Sequence, residues 1–304
     1  MSTSQPKKGT SNRSVIVFIV ILSFVCAVIL SVMASALRKP QEMAMELDRS
    51  QQMLIAAKLY SYDGYFILKD KEGRYIPAKY AGDGRLIPGS ADDYATQTQI
   101  LELYQERLAP RLVNDAGDLF TFEEAKIDKD DYIAQYKKVG YYTQAYKLLY
   151  EILPNPEAEK GSDKAPIGYV IPVNGYGLWD AIYGYLAVAP DGDTVIGISW
   201  YEQKETPGLG ANIAEPSWQR EFVGKDIFQP SPDGKTDFAS APIGISVVKG
   251  KVAEVIGDLP KAKSAVDGIP GATLTGNGVT TAYRDVLGAY RPFFIKLHKE
   301  YKER

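Results

Sequence analysis

The strongest constraint on this chain is an uncharged apolar run near its N-terminus, SVIVFIVILSFVCAVILSVMASAL, at residues 14–37. As a helix these 24 residues would be about 36 Å long, enough to cross about 30 Å of bilayer hydrocarbon with some tilt. Ala34, Ser35 and Ala36 form the small-x-small triplet of a signal cleavage site, but the apolar core of a signal peptide is usually only about 7 to 15 residues. A retained transmembrane anchor is expected. Lys7, Lys8 and Arg13 precede the run; Arg38 and Lys39 follow it, ahead of Glu42, Glu46 and Asp48. The bias puts residues 1–13 in the cytoplasm as a short tail and exports the body, because Lys and Arg near a span favour the inner side. The run holds no Asp, Glu, Lys, Arg or His, so it is expected to hold the chain in the lipid bilayer without carrying ions.

Composition removes several classes of function. Cys26 is the sole cysteine and His298 the sole histidine, which excludes a cysteine-ligated iron-sulfur cluster and a multi-Cys/His zinc site; no metal is expected. A net charge of −3 gives no broad cationic face, so no nucleic-acid partner is expected. With 304 residues, 45% of them hydrophobic, the chain can build one sizeable core or two small ones.

After the anchor, residues 38–154 read as a membrane-proximal α+β region. Met45, Leu47, Leu54, Ile55 and Leu59 mark a helix continuing from the span past Pro40. Residues 62–80 suggest a hairpin around Glu72-Gly73, and residues 92–108 a helix. The polar segment NPEAEKGSDKAP, 155–166, reads as a loop and domain boundary. Residues 167–304 then form a second domain. Strand signals at 167–173, 178–188 and 194–201 include a hairpin turning at Asp191-Gly192, and residues 215–223 read as a short helix with Pro216 near its first position. A further hairpin is expected from 243–248 and 252–256 around Lys249-Gly250, followed by one long helix over 277–301. Strands flanked by helices give an α+β class: one N-terminal transmembrane helix, then an extracytoplasmic domain with antiparallel sheet and flanking helices.

Two loops stand out. In one, Glu205, Thr206, Pro207, Gly208, Leu209 and Gly210 place an apolar side chain between two glycines. In the other, DGIPGATLTGNGV at 267–279, Gly271, Ala272 and Thr273 lead into a helix, whose first N–H groups lack intrahelical partners and favour a phosphate. The segment has neither the lysine and spacing of a P-loop nor the Rossmann glycine pattern. Either loop alone is also compatible with an ordinary turn or helix cap.

DGIPGAT is similar to the flavinylation signature of bacterial covalent flavoproteins, an Asp, two variable residues, Ser or Thr, then Gly-Ala-Thr. Asp267, Gly271, Ala272 and Thr273 match, whereas Pro270 stands where a hydroxyl is usual. With GLW-x3-YG at 177–184, ETPGLG at 205–210, Trp218, Gly224-Lys225 and GATLT-x-NGV at 271–279, the order resembles the C-subunit family of sodium-translocating NADH:quinone reductases. Gln203 departs, near where relatives often carry histidine.

The resemblance implies an electron-relay subunit with FMN in covalent phosphoester linkage to Thr273. The flavin ring is expected against Leu178, Trp179 and Leu209, with Glu205, Thr206, Pro207, Gly208, Gly271, Ala272, Leu274, Thr275 and Asp267 completing the cofactor site. No side chain is expected to act as catalytic acid, base or nucleophile, the redox chemistry being the cofactor's. Implied partners are the other subunits of a membrane complex coupling NADH oxidation and quinone reduction to sodium export, and a flavin transferase for maturation. The implied location is the bacterial inner membrane, with the C-terminal domain periplasmic. The flavin subunit of an Rnf-type complex, or a cofactor-free anchored sensor or adhesion module, remain alternatives.

Overall fold

A computed structural model describes residues 12–135, 140–156 and 165–303. The chain divides into two units, residues 1–48 and 49–304. One helix, α1 (Asn12–Ala56), contains the whole apolar run and continues through Pro40. From Val15 to Leu37 its large hydrophobic side chains are exposed, which suits a span solvated by lipid. At the other end of the same helix Met53, Leu54, Ile55 and Ala56 are buried. Met45, expected on the apolar stripe, is exposed.

The second unit begins with a three-stranded antiparallel sheet. The expected hairpin is present as β1 (Phe66–Lys69) and β2 (Tyr75–Tyr80), and β3 (Leu86–Pro88), not read from the sequence, pairs on the far side of β2. Helix α2 (Gln97–Arg107) starts later than expected because Thr96 caps it. The Thr96 hydroxyl accepts from the Gln99 N–H at 3.3 Å while the Gln99 amide oxygen accepts from the Thr96 N–H at 3.0 Å, a reciprocal cap that satisfies two donors at once. Short helices α3 (Phe122–Ala125) and α4 (Lys129–Ala134) follow.

The main sheet has six strands in the order β5-β4-β6-β7-β8-β9: β4 (Leu108–Val113), β5 (Leu119–Phe120), β6 (Lys147–Ile152), β7 (Gly168–Tyr176), β8 (Ala181–Val188) and β9 (Val195–Glu202). All its pairings are antiparallel. Tyr150 of β6 faces Val170 of β7, so one sheet continues across the segment expected as a domain boundary. Within that segment, residues 157–164 lie outside the described residues.

Beyond the sheet, α5 (Pro216–Gln219) opens with Pro216 at its first position, where a missing N–H costs nothing. The expected second hairpin is not formed. Instead β10 (Ser246–Val247) pairs in parallel with β11 (Ala265–Val266), and residues 252–255 form a helical turn, α6 (Val252–Val255). The Asp267 carboxylate accepts from the Val252 N–H at 2.7 Å, a local bond that satisfies the first donor of that turn. The valines suggested a strand, but Val255 is exposed, so apolar alternation there reported no buried face.

The single C-terminal helix is two helices, α7 (Thr273–Ala289) and α8 (Arg291–Glu303). Pro292 lacks the N–H that would continue α7 and fits the first turn of α8. Helix α7 buries Thr275, Gly276, Val279, Ala282, Tyr283, Val286 and Leu287, the helical spacing of a face laid on a core. It packs closely on the end of β7: a Cβ on Gly175 would lie 2.5 Å from that of Ala282, and one on Gly278 would collide with the Tyr176 carbonyl. These small residues fix where α7 begins relative to the turn between β7 and β8.

Candidate functional site at the start of helix α7

Three segments meet at one end of the sheet: the β7–β8 turn, the loop after β9 and the first turn of α7. Glu205 joins them. Its side chain is 5% exposed and accepts from the Leu178 N–H at 3.1 Å, the Trp179 N–H at 2.9 Å and the Thr275 hydroxyl at 2.5 Å. Burial pushes this carboxyl up, but the Thr275 hydroxyl and the backbone N–H groups outweigh burial, leaving it below its ordinary value and ionised at neutral pH. The Gln203 amide oxygen accepts from the Glu205 N–H at 2.6 Å. Gln203, the position that departs from the resembled pattern, therefore braces the carboxylate's own backbone.

The glycines differ in their roles. Gly208 has φ +76° with open space around it, whereas Gly210 is needed for room: a Cβ there would lie 2.5 Å from the Thr275 hydroxyl. A Cβ on Gly177 would collide with the Glu205 carboxylate. Gly271 combines both reasons, with φ +76° and the Leu209 methyl 2.8 Å from where its Cβ would stand. Leu209 thus reaches across to the loop that precedes Thr273.

Around these contacts lies an apolar rim. Leu178, Leu209 and Leu274 are exposed, and Trp179 is 69% exposed. The Trp179 indole N–H donates to the Thr206 hydroxyl at 3.1 Å, which orients the ring without covering it. Pro207 and Gly208 are exposed at the tip of the same loop. Trp218, by contrast, is a core residue 7% exposed, donating to the Asp267 carbonyl at 2.9 Å.

Thr273 is the first residue of α7 and is exposed, while Ala272 beside it is buried. Among the described residues no side chain caps this helix, so its first N–H groups can face a phosphate. Thr275 turns inward to Glu205, and Thr280 accepts from the Val247 N–H at 2.9 Å. Thr281, though exposed, lies two turns into the helix. Asp267 stands apart from the rim, its carboxylate engaged by Val252.

A cleft of about 260 Å³ adjoins Thr273, bounded by Val247, Lys249, Gly250, Gly268, Ala272 and Asn277 among others. The residue types at Lys249-Gly250 indicate only a turn, because nothing local shows that β10 brings it against α7. On the neighbouring face of the helix, beyond Asn277, the residues Leu274, Thr281 and Tyr176 border a second cleft of about 390 Å³.

The FMN-binding domain family matches residues 177–288, a stretch that contains all three converging segments. The C-subunit of the Na(+)-translocating NADH-quinone reductase of Chlamydia caviae is 42% identical over 311 aligned positions, 98% of this chain and 97% of that one. This chain belongs to that C-subunit family. Its relative from Chlamydia muridarum is 39% identical over 93% of each chain. The crystal structure of the C-subunit from Parabacteroides distasonis shares the fold, with a TM-score of 0.51 at 24% identity over 85% of this chain and 96% of that one. What the three segments offer is apolar surface, backbone donors and the exposed hydroxyls of Thr206 and Thr273.

These features fit FMN. An exposed hydroxyl at an uncapped helix start suits its phosphate, and the Leu178, Trp179, Leu209 and Leu274 rim suits its ring.

Proposed function

We propose that this chain is the flavin-bearing electron-relay subunit of a membrane complex that couples NADH oxidation and quinone reduction to sodium export. Near full-length similarity to C-subunit proteins supports this over an Rnf-type flavin subunit, and the FMN-binding domain match argues against a cofactor-free sensor. FMN, when bound, supplies the redox chemistry; the chain's residues hold and orient it. Residues 167–304 serve as the flavin-binding part, sharing one sheet with strands β4 to β6 of the membrane-proximal region. Residues 14–37 of helix α1 anchor the chain in the bacterial inner membrane, and the C-terminal domain lies in the periplasm.

The attachment point is Thr273, and the observation that carries this reading is the opposite orientation of two nearby hydroxyls. Thr273 faces out at the start of α7, whereas Thr275 is buried against Glu205. The Thr273 oxygen displaces a nucleotide from the flavin-bearing phosphorus of a flavin dinucleotide brought by the transferase: the Thr273 O–P bond forms as the diphosphate P–O bond breaks, the nucleoside monophosphate leaves and the hydroxyl proton passes to solvent. Glu205 holds the backbone of Leu178 and Trp179, Leu209 spans to Gly271, and the first N–H groups of α7 face the phosphate, favouring its charge by about 0.3 to 1 kcal/mol.

Denaturing gel fluorescence and intact mass test this reading. Wild type is expected to retain one FMN through denaturation, Thr273→Ala none, and Thr275→Ala at least part. A fluorescent Thr273→Ala band overturns the assignment. A C-terminal periplasmic reporter on a chain with an intact N-terminus tests the anchor and its orientation.

A further inference from the structure

The cleft beside Thr273 has one wall whose placement depends on the residues that open the Asp-Gly-x-x-Gly-Ala-Thr stretch. The Asp267 carboxylate accepts from the Val252 N–H at 2.7 Å, the Gly268 N–H donates to the Gly250 carbonyl at 2.8 Å, and the Val248 N–H donates to the Val266 carbonyl at 3.1 Å. Residues 248–252 are thereby tied along their length to residues 266–268. The approach is closer than a side chain permits, because a Cβ on Gly268 would collide with the Val248 carbonyl. Gly250 turns the chain at φ +107°. Asp267 and Gly268 thus set the position of the Lys249 turn.

Lys249 is exposed and borders the same cleft as Thr273. Among the described residues, no other charged residue lines that cleft, and Lys249 makes no ion pair. The cleft is also small. At about 260 Å³ it falls below the roughly 300 to 1,000 Å³ usual for a complete small-molecule site. It has room for the phosphate end of a nucleotide, while the ring is left to the exposed rim.

From this arrangement we infer that Lys249 is a positioning residue for the flavin's phosphate: its ammonium neutralises the phosphoester on Thr273, and Asp267 acts by holding the Lys249 turn in place. The inference rests on attachment at Thr273. It gives the acidic residue of the attachment stretch a mechanical task and assigns the electrostatic one to a lysine 24 positions before the acceptor (273 − 249).

Lys249 is solvent-exposed, so replacing it leaves the core intact. The test uses full-length chain expressed with its flavin transferase, in wild-type, Lys249→Gln, Lys249→Arg and Lys251→Gln forms, the last removing an exposed neighbour outside the cleft. Two readouts are compared: flavin occupancy by intact mass after a short, limited loading time, and the phosphorus-31 resonance of the fully loaded protein. Lys249→Gln is expected to lower occupancy about two- to fivefold, as for one exposed ion pair, and to move the phosphorus resonance. Lys249→Arg and Lys251→Gln are expected to match wild type in both. Raising ionic strength should bring wild-type loading toward that of Lys249→Gln. Wild-type occupancy and an unmoved resonance in Lys249→Gln overturn the role of Lys249 while leaving Thr273 attachment standing. A wild-type chain with no flavin mass overturns the attachment itself.

Discussion

The two tryptophans at this end of the molecule occupy opposite surroundings. Trp218 packs its ring on Phe222 at 4.9 Å between centroids, and Phe222 in turn meets Tyr283 of α7, which contacts Trp200 of β9. Trp179 touches Thr206 through its indole N–H and leaves most of its ring uncovered. Around Trp218, order comes from apolar contact. At the rim it comes from beneath, through the Glu205 carboxylate that grips the Leu178 and Trp179 N–H groups. A surface ordered by polar anchors can keep apolar side chains in place without burying them, and that leaves them free to receive a flat apolar ligand.

The comparison predicts a graded set of losses. Trp218→Ala should cost the most, about 3 to 5 kcal/mol, read as a lowered denaturant midpoint at unchanged slope. A loss under about 1 kcal/mol would show that Trp218 is not part of the load on the core. Next comes Glu205→Gln, expected to cost about 1 to 3 kcal/mol, because an ionised acceptor of three hydrogen bonds is replaced by a neutral amide. Trp179→Ala should change stability by less than about 0.5 kcal/mol, yet alter the absorbance and fluorescence of bound flavin. A stability loss comparable to that of Trp218→Ala would erase the distinction between the two regions.

Acid sharpens the same contrast. The folded Glu205 carboxyl lies below its ordinary value of 4.5, so its contribution is complete above that value and is lost as pH falls through the lower, folded one. Trp179 emission is expected to stay constant from pH 8 to about 5 and to change on further acidification before the core unfolds. In Glu205→Gln that early change should be absent.

Which segments would be brought together at the candidate site could be read from residue types alone. Gly271, Ala272 and Thr273, the ETPGLG loop and the Leu-Trp pair after Gly177 carry their chemistry in their identity, and the fold brings them together. Less legible was what each one touches. Nothing in the sequence places Glu205 beneath Thr275, because that contact joins residues 70 positions apart. Valines at 252 and 255 suggested a strand, but residues 252–255 form a helical turn whose first N–H donates to the Asp267 carboxylate. The start of α7 was read four residues late: the helix begins at Thr273 and carries Gly276, whose missing side chain lets Val247 pack close, in its first turns. Pro292, visible all along, marks the break between α7 and α8 that the continuous apolar stripe concealed.

The pairing of β6 with β7 has a consequence for any attempt to isolate the flavin-binding part. A chain cut to begin at residue 167 would start with β7, stripped of its neighbour along Tyr150, Glu151 and Ile152. The bared edge would present unpaired backbone groups beside Val170 and Ile171, both fully buried in the intact sheet, and such edges recruit other copies. The shortest fragment that keeps β7 covered must carry β6, and β6 in turn needs β4 along its full length. The minimal folded unit is therefore set by strand neighbours, and it starts far upstream of Gly177, the first residue of the FMN-binding domain match.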